Sequence, residues 1–435
     1  MWRRRRSHKY WRWWKKIKNL IYNKFVLVYN DNKIKLKYDI DNDNFKFDEN
    51  IIKYEIGNLE KGKAVSWDYT PVETLRKIID NKNIENNERI IKSLKELFDK
   101  LLTPEIPIPR EIATSRLIVL NKNMNECGDI NRIRPICIQS TILKLLERSL
   151  YFHFHKEIIK KLNKAQIGFI GVVGTEINLL LLREKCMDLK LQNNDNIFVL
   201  FIDISGAYDN VNKEILFRKM VKMKVEKQFI NSIKKIYSYT QICIDPLYKI
   251  LMLIRSITGI ELAPLLFNIF IDDLIDELQL KTNTVLAYAD DIAVICNGQI
   301  GLDYAIETIE KWCDENIMKL NYCKSGILIL KGRLRNIREL KKKIILLIKV
   351  NVGCLINNNS NDNCSNYDAE GFDKSDGNDT NTTNSNISLL YKNIPIFEEY
   401  KYLCIELNNK LNPVNHLKNV NIKLLKKNEQ INNFK

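Results

Sequence analysis

The sequence predicts an α+β fold in which helices pack on an antiparallel sheet. Three observations carry the prediction. IFVLFID at 197–203 is an unbroken apolar run that closes on an acid. TVLAYADDIAVIC at 284–296 is two apolar runs hinged on an acidic pair. Amphipathic stretches at 262–278 and 302–318 separate these runs from one another and from GILIL at 326–330. Short apolar runs bounded by turn residues read as strands, and apolar positions recurring at three and four residues read as helices. From residue 197 onward the order is strand, helix, helix, hairpin, helix, strand, which suits one layer of helices on one sheet.

The elements can be justified in order. Residues 1–24 hold ten Lys and Arg, no acid, and Trp2, Trp11, Trp13 and Trp14. Such a tail suits phosphate contact with base stacking, and equally a solvated terminus; Arg3–Arg6 also suits a nuclear address. Residues 25–100 form a polar, mostly helical extension. Helices are expected at 71–80, where Pro71 stands just inside the start with Thr70 as cap, and at 88–101. Three prolines within 104–109 keep the chain extended. SRLIVLNK (115–122) and RIRPICIQST (132–141) read as strands, and 142–158, 175–190 and 212–224 read as helices. Residues 356–388 are polar and nearly free of aliphatics, which marks a disordered insertion rather than a domain. Order resumes at EEYKYLCIEL (398–407).

Composition narrows the function class. Lys and Arg number 69 against 53 Asp and Glu, a net charge of +16, which points to a polyanionic partner. The ten cysteines are scattered without a C-x-x-C, which argues against a zinc or disulfide framework and for reduced thiols. No apolar run approaches the ~18 residues of a membrane span. The expected partners exclude a membrane, and the expected location is intracellular and nuclear.

The acidic pair Asp290-Asp291 is the sharpest chemical signal. Adjacent carboxylates repel, and in an apolar sheet they are costly unless paired or bound to a cation. A hairpin turn that happens to read Asp-Asp is the alternative. Asp203 weighs against that alternative, because it too ends a very apolar strand. Three carboxylates at neighbouring strand ends can hold two Mg²⁺ ions, which activate an attacking 3′-hydroxyl and stabilise a leaving pyrophosphate oxygen. Oxygen donors without His or Cys suit Mg²⁺, with Mn²⁺ as a substitute, rather than zinc.

FIDISGAYDNV, LAPLLFNIFIDDL and YADD, in that order, resemble the palm motifs of reverse transcriptases, and resemble most those of non-LTR (LINE-type) retrotransposons. RIRPICIQSTILKLLER, QIGF with the later GTE, MKLNYCKSGI and YKYLCIEL extend the resemblance over roughly 104–335 and 396–420. The resemblance implies a right-hand polymerase with fingers at 101–195, a ferredoxin-like palm at 196–350, and a primer-grip hairpin with the start of a thumb at 391–435. The segment 351–390 would be the disordered insertion. It implies an RNA template, a DNA primer and dNTPs as partners.

The resemblance also implies roles. Asp203 and Asp290 would be the principal metal ligands, with Asp291 the adjacent carboxylate and the Ile204 carbonyl a further donor. Tyr208 would place a ring under the incoming sugar and reject a 2′-hydroxyl, unless it is an ordinary core tyrosine; Asp209 suits a cap of the following helix equally well. Lys122 and Arg134 would bind the triphosphate, or be plain surface charges. Lys324 would donate a proton to pyrophosphate, or be a solvated strand-edge lysine. Tyr402 and Leu403 would hold the primer end, a role compatible with a buried strand.

Several positions depart from the family pattern. Thr258-Gly259 replaces glutamine and glycine, and Glu261 stands where proline or a small residue is common. Ile170-Gly171-Val172-Val173 replaces basic residues. Cys404 replaces the glycine of YKYLG, a position suited to a positive φ. About 30 residues follow YKYL, so the chain reads as truncated or degenerate. The alternative to an active polymerase is a catalytically inactive nucleic-acid-binding remnant. An RNA-dependent RNA polymerase shares the palm, but Ala289 and Tyr208 argue against it.

Overall fold

A computed structural model describes residues 45–80, 84–121, 133–170, 174–192, 196–245, 250–253, 261–281, 283–330, 390–408 and 410–411. In chain order the elements are α1 (Glu49–Asn58), α2 (Val72–Asp80), α3 (Ile84–Leu101), α4 (Arg110–Ala113), β1 (Thr114–Asn121), β2 (Ile133–Ile138), α5 (Thr141–Lys161), α6 (Thr175–Gln192) and β3 (Ile197–Ile202). There follow α7 (Lys213–Lys222), α8 (Lys227–Tyr239), β4 (Gln241–Asp245), β5 (Ile250–Leu253), α9 (Ala263–Leu278), β6 (Thr284–Tyr288), β7 (Asp291–Asn297), α10 (Gly298–Glu315) and β8 (Gly326–Leu330). The last are β9 (Leu390–Tyr391), β10 (Ile394–Phe397), β11 (Glu399–Tyr402) and β12 (Ile405–Asn408). The chain divides into two compact units. One comprises Met1–Val173, Ser205–Asp276 and Trp312–Lys319; the other comprises Gly174–Ile204, Glu277–Lys311 and Leu320–Lys435.

The first unit is built on helices around an aromatic core. Phe45 lies 5.0 Å from Phe47 and 4.9 Å from Phe154, and Phe154 lies 5.2 Å from Phe229, ring centre to ring centre. Side-chain caps start the helices by satisfying orphan N–H groups. Asp48 accepts from the Asn50 N–H at 2.8 Å ahead of α1, and Ser140 accepts from the Leu143 N–H at 3.4 Å ahead of α5. Lys160 and Lys161 in the last turn of α5 complement the helix dipole. A four-stranded sheet runs in the order β2-β1-β4-β5, with β1 and β2 antiparallel and β1 and β4 parallel.

The second unit carries a six-stranded sheet in the order β6-β7-β3-β8-β10-β9, and a separate hairpin β11-β12. Every residue of β3 is buried, as an apolar strand flanked on both edges should be. Val199, Phe201, Ala293, Ile295 and Leu328 share one core with Leu182 and Cys186 of α6 and with Tyr402 and Leu407 of the hairpin.

The strands expected at 115–122, 132–141, 197–203, 284–296 and 326–330 are all present within a few residues. The strands expected on an antiparallel sheet, β3, β6, β7 and β8, do pair antiparallel; parallel pairs are added by β1 with β4 and by β8 with β10. Each joins segments far apart in sequence, and parallel pairing needs such long crossovers. The reading assigned no strand to β4, β5, β9 or β10, which are only two to five residues long. Among the described residues no helix is long and apolar enough to cross a membrane. The basic tail 1–24 and the low-complexity stretch 356–388 lie outside the described residues.

Candidate active site

The carboxylates are assembled by strand register. In the antiparallel pairing of β3 with β7, Ile202 stands opposite Ile292. One step further along the same register stand Asp203 and Asp291. Residues opposite each other on neighbouring strands place their side chains on the same face. Tyr288 pairs with Asp291, so the hairpin turn is Ala289-Asp290 and not the acidic pair itself. Ala289 takes the left-handed conformation, with φ of 56°, which lets the chain reverse in two residues. The pair is thereby split: Asp290 occupies the turn and Asp291 begins β7.

The end of β3 is held from one side by the residues leading into β8. The Asn321 N–H donates to the Asp203 carbonyl at 2.9 Å, and the Asp203 N–H donates to Ser325 Oγ at 3.1 Å. Ile204 forms an antiparallel bridge with Leu320. The flanking hydrogen bonds, Asn321 to Asp203 and Ser205 to Lys319, mark it as the non-hydrogen-bonded kind. The carbonyl of Ile204 therefore points away from Leu320.

Burial dominates the electrostatics, with like charge added at Asp291. Burial raises the carboxyl of Asp203 above its ordinary value, while the Lys324 charge and a hydrogen bond from Asn321 pull it back. Asp291 is exposed on one side. The protein packed round its other side, then the charges of Asp290 and Asp203, push its carboxyl up to about 6. Asp291, whose proton affinity the charges of Asp290 and Asp203 raise, belongs to a carboxylate set that a divalent cation would relieve. All the donors are oxygen, which fits Mg²⁺ or Mn²⁺. Among the described residues no three His, Cys, Asp or Glu side chains are gathered closely enough to hold a metal ion as they stand, so the fit rests on the chemistry of the donors.

Lys324 is exposed in the turn before β8, and its charge reaches Asp203. Tyr402 is buried at 3% exposure and accepts a hydrogen bond from Asn178 Nδ2 at 3.1 Å. Leu403 and Cys404 form the two-residue turn between β11 and β12, with φ of 47° and 67°. The position of Cys404 does demand a positive φ, and the cysteine adopts it.

The remaining site residues belong to the other unit. Tyr208 is half-buried, with its ring stacked on Phe267 of α9 at 4.8 Å. Asp209 is not the cap of the next helix. Asn212 is, accepting from the N–H groups of Glu214 at 2.9 Å and Ile215 at 3.2 Å; the cap must directly precede the first turn, and Asp209 lies three residues too early. Arg134 sits in β2 opposite Leu120, but its side chain lies outside the described residues, as do Lys122, Thr258-Gly259 and 171–173. The loop QIGF is tied to the helix of LAPLLFN: buried Asn268 donates to the Gly168 carbonyl at 2.7 Å, and Gln166 Oε1 accepts from the Gly168 N–H at 3.0 Å.

Glu261 has a structural partner that explains its presence. Its N–H donates to Glu147 at 2.9 Å, and its carboxylate pairs with Arg148 at 2.9 Å and Lys144 at 3.2 Å. Arg148 also pairs with Glu55 at 2.6 Å. A proline at 261 would remove the N–H that the buried Glu147 uses. The sequence reading missed Glu147, Asn321, Ser325 and Tyr400. Each lies inside a segment that reading singled out, and only their spatial partners reveal them.

Residues 120–366 match the family model described as Reverse transcriptase (RNA-dependent DNA polymerase).

Proposed function

Because the chain belongs to the reverse transcriptase (RNA-dependent DNA polymerase) family, we propose that it is an RNA-directed DNA polymerase of the non-LTR retrotransposon type, extending a DNA primer on an RNA template by two-metal nucleotidyl transfer. Family membership carries RNA-templated polymerase activity, a palm fold, divalent metal use, and binding of template, primer and dNTPs in general terms. The observation that supports the specific reading is that strand register sets Asp203 opposite Asp291 while Asp290 occupies the adjoining hairpin turn.

In this reading Asp203, Asp290 and Asp291 would hold two Mg²⁺ ions, with the carbonyl of Ile204 as a further donor. Bound there, the ions would lower the pKa of the primer 3′-hydroxyl and neutralise charge on the leaving pyrophosphate. Lys324 stands beside Asp203 and supplies a proton to the pyrophosphate oxygen. The Tyr402-Leu403 hairpin seats the primer end. Tyr208 excludes a ribose 2′-hydroxyl, and Lys122 and Arg134 bind the triphosphate.

The test is primer extension on an RNA template with Mg²⁺ and dNTPs. Wild-type extension and its loss by roughly a thousandfold or more in Asp290→Ala are expected, since the carboxylates act as a unit. Equal extension by Asp290→Ala would refute the assignment. Salt-sensitive nucleic-acid binding with no turnover by the wild type would instead establish the alternative, an inactive remnant, which draws on the departures at Ile170–Val173, Thr258–Glu261 and Cys404.

A further inference from the structure

We propose that Tyr400 is a positioning residue that locks the turn carrying Lys324 to the primer hairpin and to the strand bearing Asp203, so that the three move as one body. The inference rests on the polymerase reading for its catalytic consequence, and on the following contacts for its structure. The Tyr400 ring lies flat on Phe201, with centroids 4.3 Å apart and planes within 6°. Phe201 lies in β3 two residues before Asp203, which continues the strand's register, so the two share a face of the sheet. The edge of the same ring lies over the Cα of Gly326. A Cβ there would stand 2.6 Å from Tyr400 Cε2 and 2.7 Å from Phe397 Cδ2, so glycine is what admits the ring.

The hydroxyl adds what a phenylalanine cannot. It donates to the Lys324 carbonyl at 2.6 Å. The turn that it holds in turn grips Asp203, through the Asn321 N–H and Ser325 Oγ. One side chain of β11 therefore fixes the backbone of the proton donor and, through that turn, the backbone of a metal-binding aspartate. The hydroxyl's partner is the backbone carbonyl of Lys324 itself, in the same turn that supplies Asn321 and Ser325 to Asp203.

Tyr400→Phe keeps the ring and removes the hydroxyl. In the full chain without nucleic acid, hydrogen exchange at the Lys324 and Ser325 amides should quicken by roughly fivefold, the equivalent of about one net hydrogen bond. Exchange across 292–296 should stay unchanged, and the melting temperature should fall by no more than roughly a degree or two. In single-turnover extension, Tyr400→Phe should lower the rate of incorporation by a similar factor while leaving dNTP and primer–template affinities alone. Added to Lys324→Ala it should cost nothing further. Unchanged exchange at 324–325, or a loss that multiplies with that of Lys324→Ala, would overturn the proposal. If the wild type extends no primer, the polymerase reading fails, and the exchange measurement still decides whether Tyr400 holds the turn.

Discussion

Glu147 is fully buried, yet it is a carboxyl group. Gln139 Nε2 donates to it at 2.6 Å and the Glu261 N–H at 2.9 Å. These bonds do not offset burial, which pushes the group from an ordinary value of 4.5 up to about 8. Between those values the folded protein keeps a proton that the unfolded chain has released. Stability is therefore full below pH 4.5 and falls as pH rises toward about 8, by on the order of 1 kcal/mol per pH unit from this group. Glu147→Gln is neutral throughout and keeps both partners if the Gln139 amide turns over to accept from it, while its own oxygen still accepts from the Glu261 N–H. Urea unfolding measured from about pH 5 to 8 should give a flatter stability profile for the variant than for the wild type; identical slopes would assign the pH dependence to other groups. None of this was legible from sequence. Glu147 stands in an amphipathic helix where a glutamate reads as a surface charge, and only its contact with a loop more than a hundred residues away makes it a buried one.

At the scale of elements, the turn of the β11-β12 hairpin places two side-chain-bearing residues in the left-handed region, Leu403 at 47° and Cys404 at 67°. A residue with a Cβ gives up roughly 1–2 kcal/mol there, and glycine recovers part of it against its greater freedom in the unfolded chain. Cys404 is exposed, so its removal forfeits little packing. Cys404→Gly should stabilise the protein by about 0.5 kcal/mol net, read as a small rise in melting temperature. A fall would mean that the thiol makes a contact worth more than the strain. Elements differ in how far sequence reveals them. β3 and the 284–296 hairpin were legible because burial on both faces requires a continuous apolar run. β4, β5, β9 and β10 were not, because strands of two to five residues carry too few positions to show a period, and β4 and β10 are anchored to their sheets by β1 and β8, far away in sequence.

For the whole molecule, the excess of 69 basic over 53 acidic residues sets an electrostatic expectation that no single contact controls. Binding of an RNA–DNA duplex should weaken steeply with salt, by roughly a thousandfold between 50 and 200 mM if at least six phosphates are neutralised. Fluorescence anisotropy across a salt series checks this. A chain lacking residues 1–24 should show a shallower slope, because ten Lys and Arg lie there; an unchanged slope would mean that the tail makes no phosphate contact. The two compact units interleave along the chain, each drawing on three separate segments. The sequence reading divided the chain into consecutive blocks because composition changes are local, whereas compactness is decided by contacts between distant segments.

The sequence by itself determined the apolar strand that ends on Asp203, the hairpin that carries Asp290 and Asp291, and the family to which both belong, since each is written in consecutive residues. Only the tertiary structure decided that Asp291 faces Asp203 across a strand pair while Asp290 sits in the turn, that Asn212 and not Asp209 caps α7, and that Tyr400 and Ser325 brace the site. The physical reason is that register, burial and hydrogen-bond partnership are relations between segments. A one-residue change in strand pairing would leave every motif intact and place the carboxylates on opposite faces.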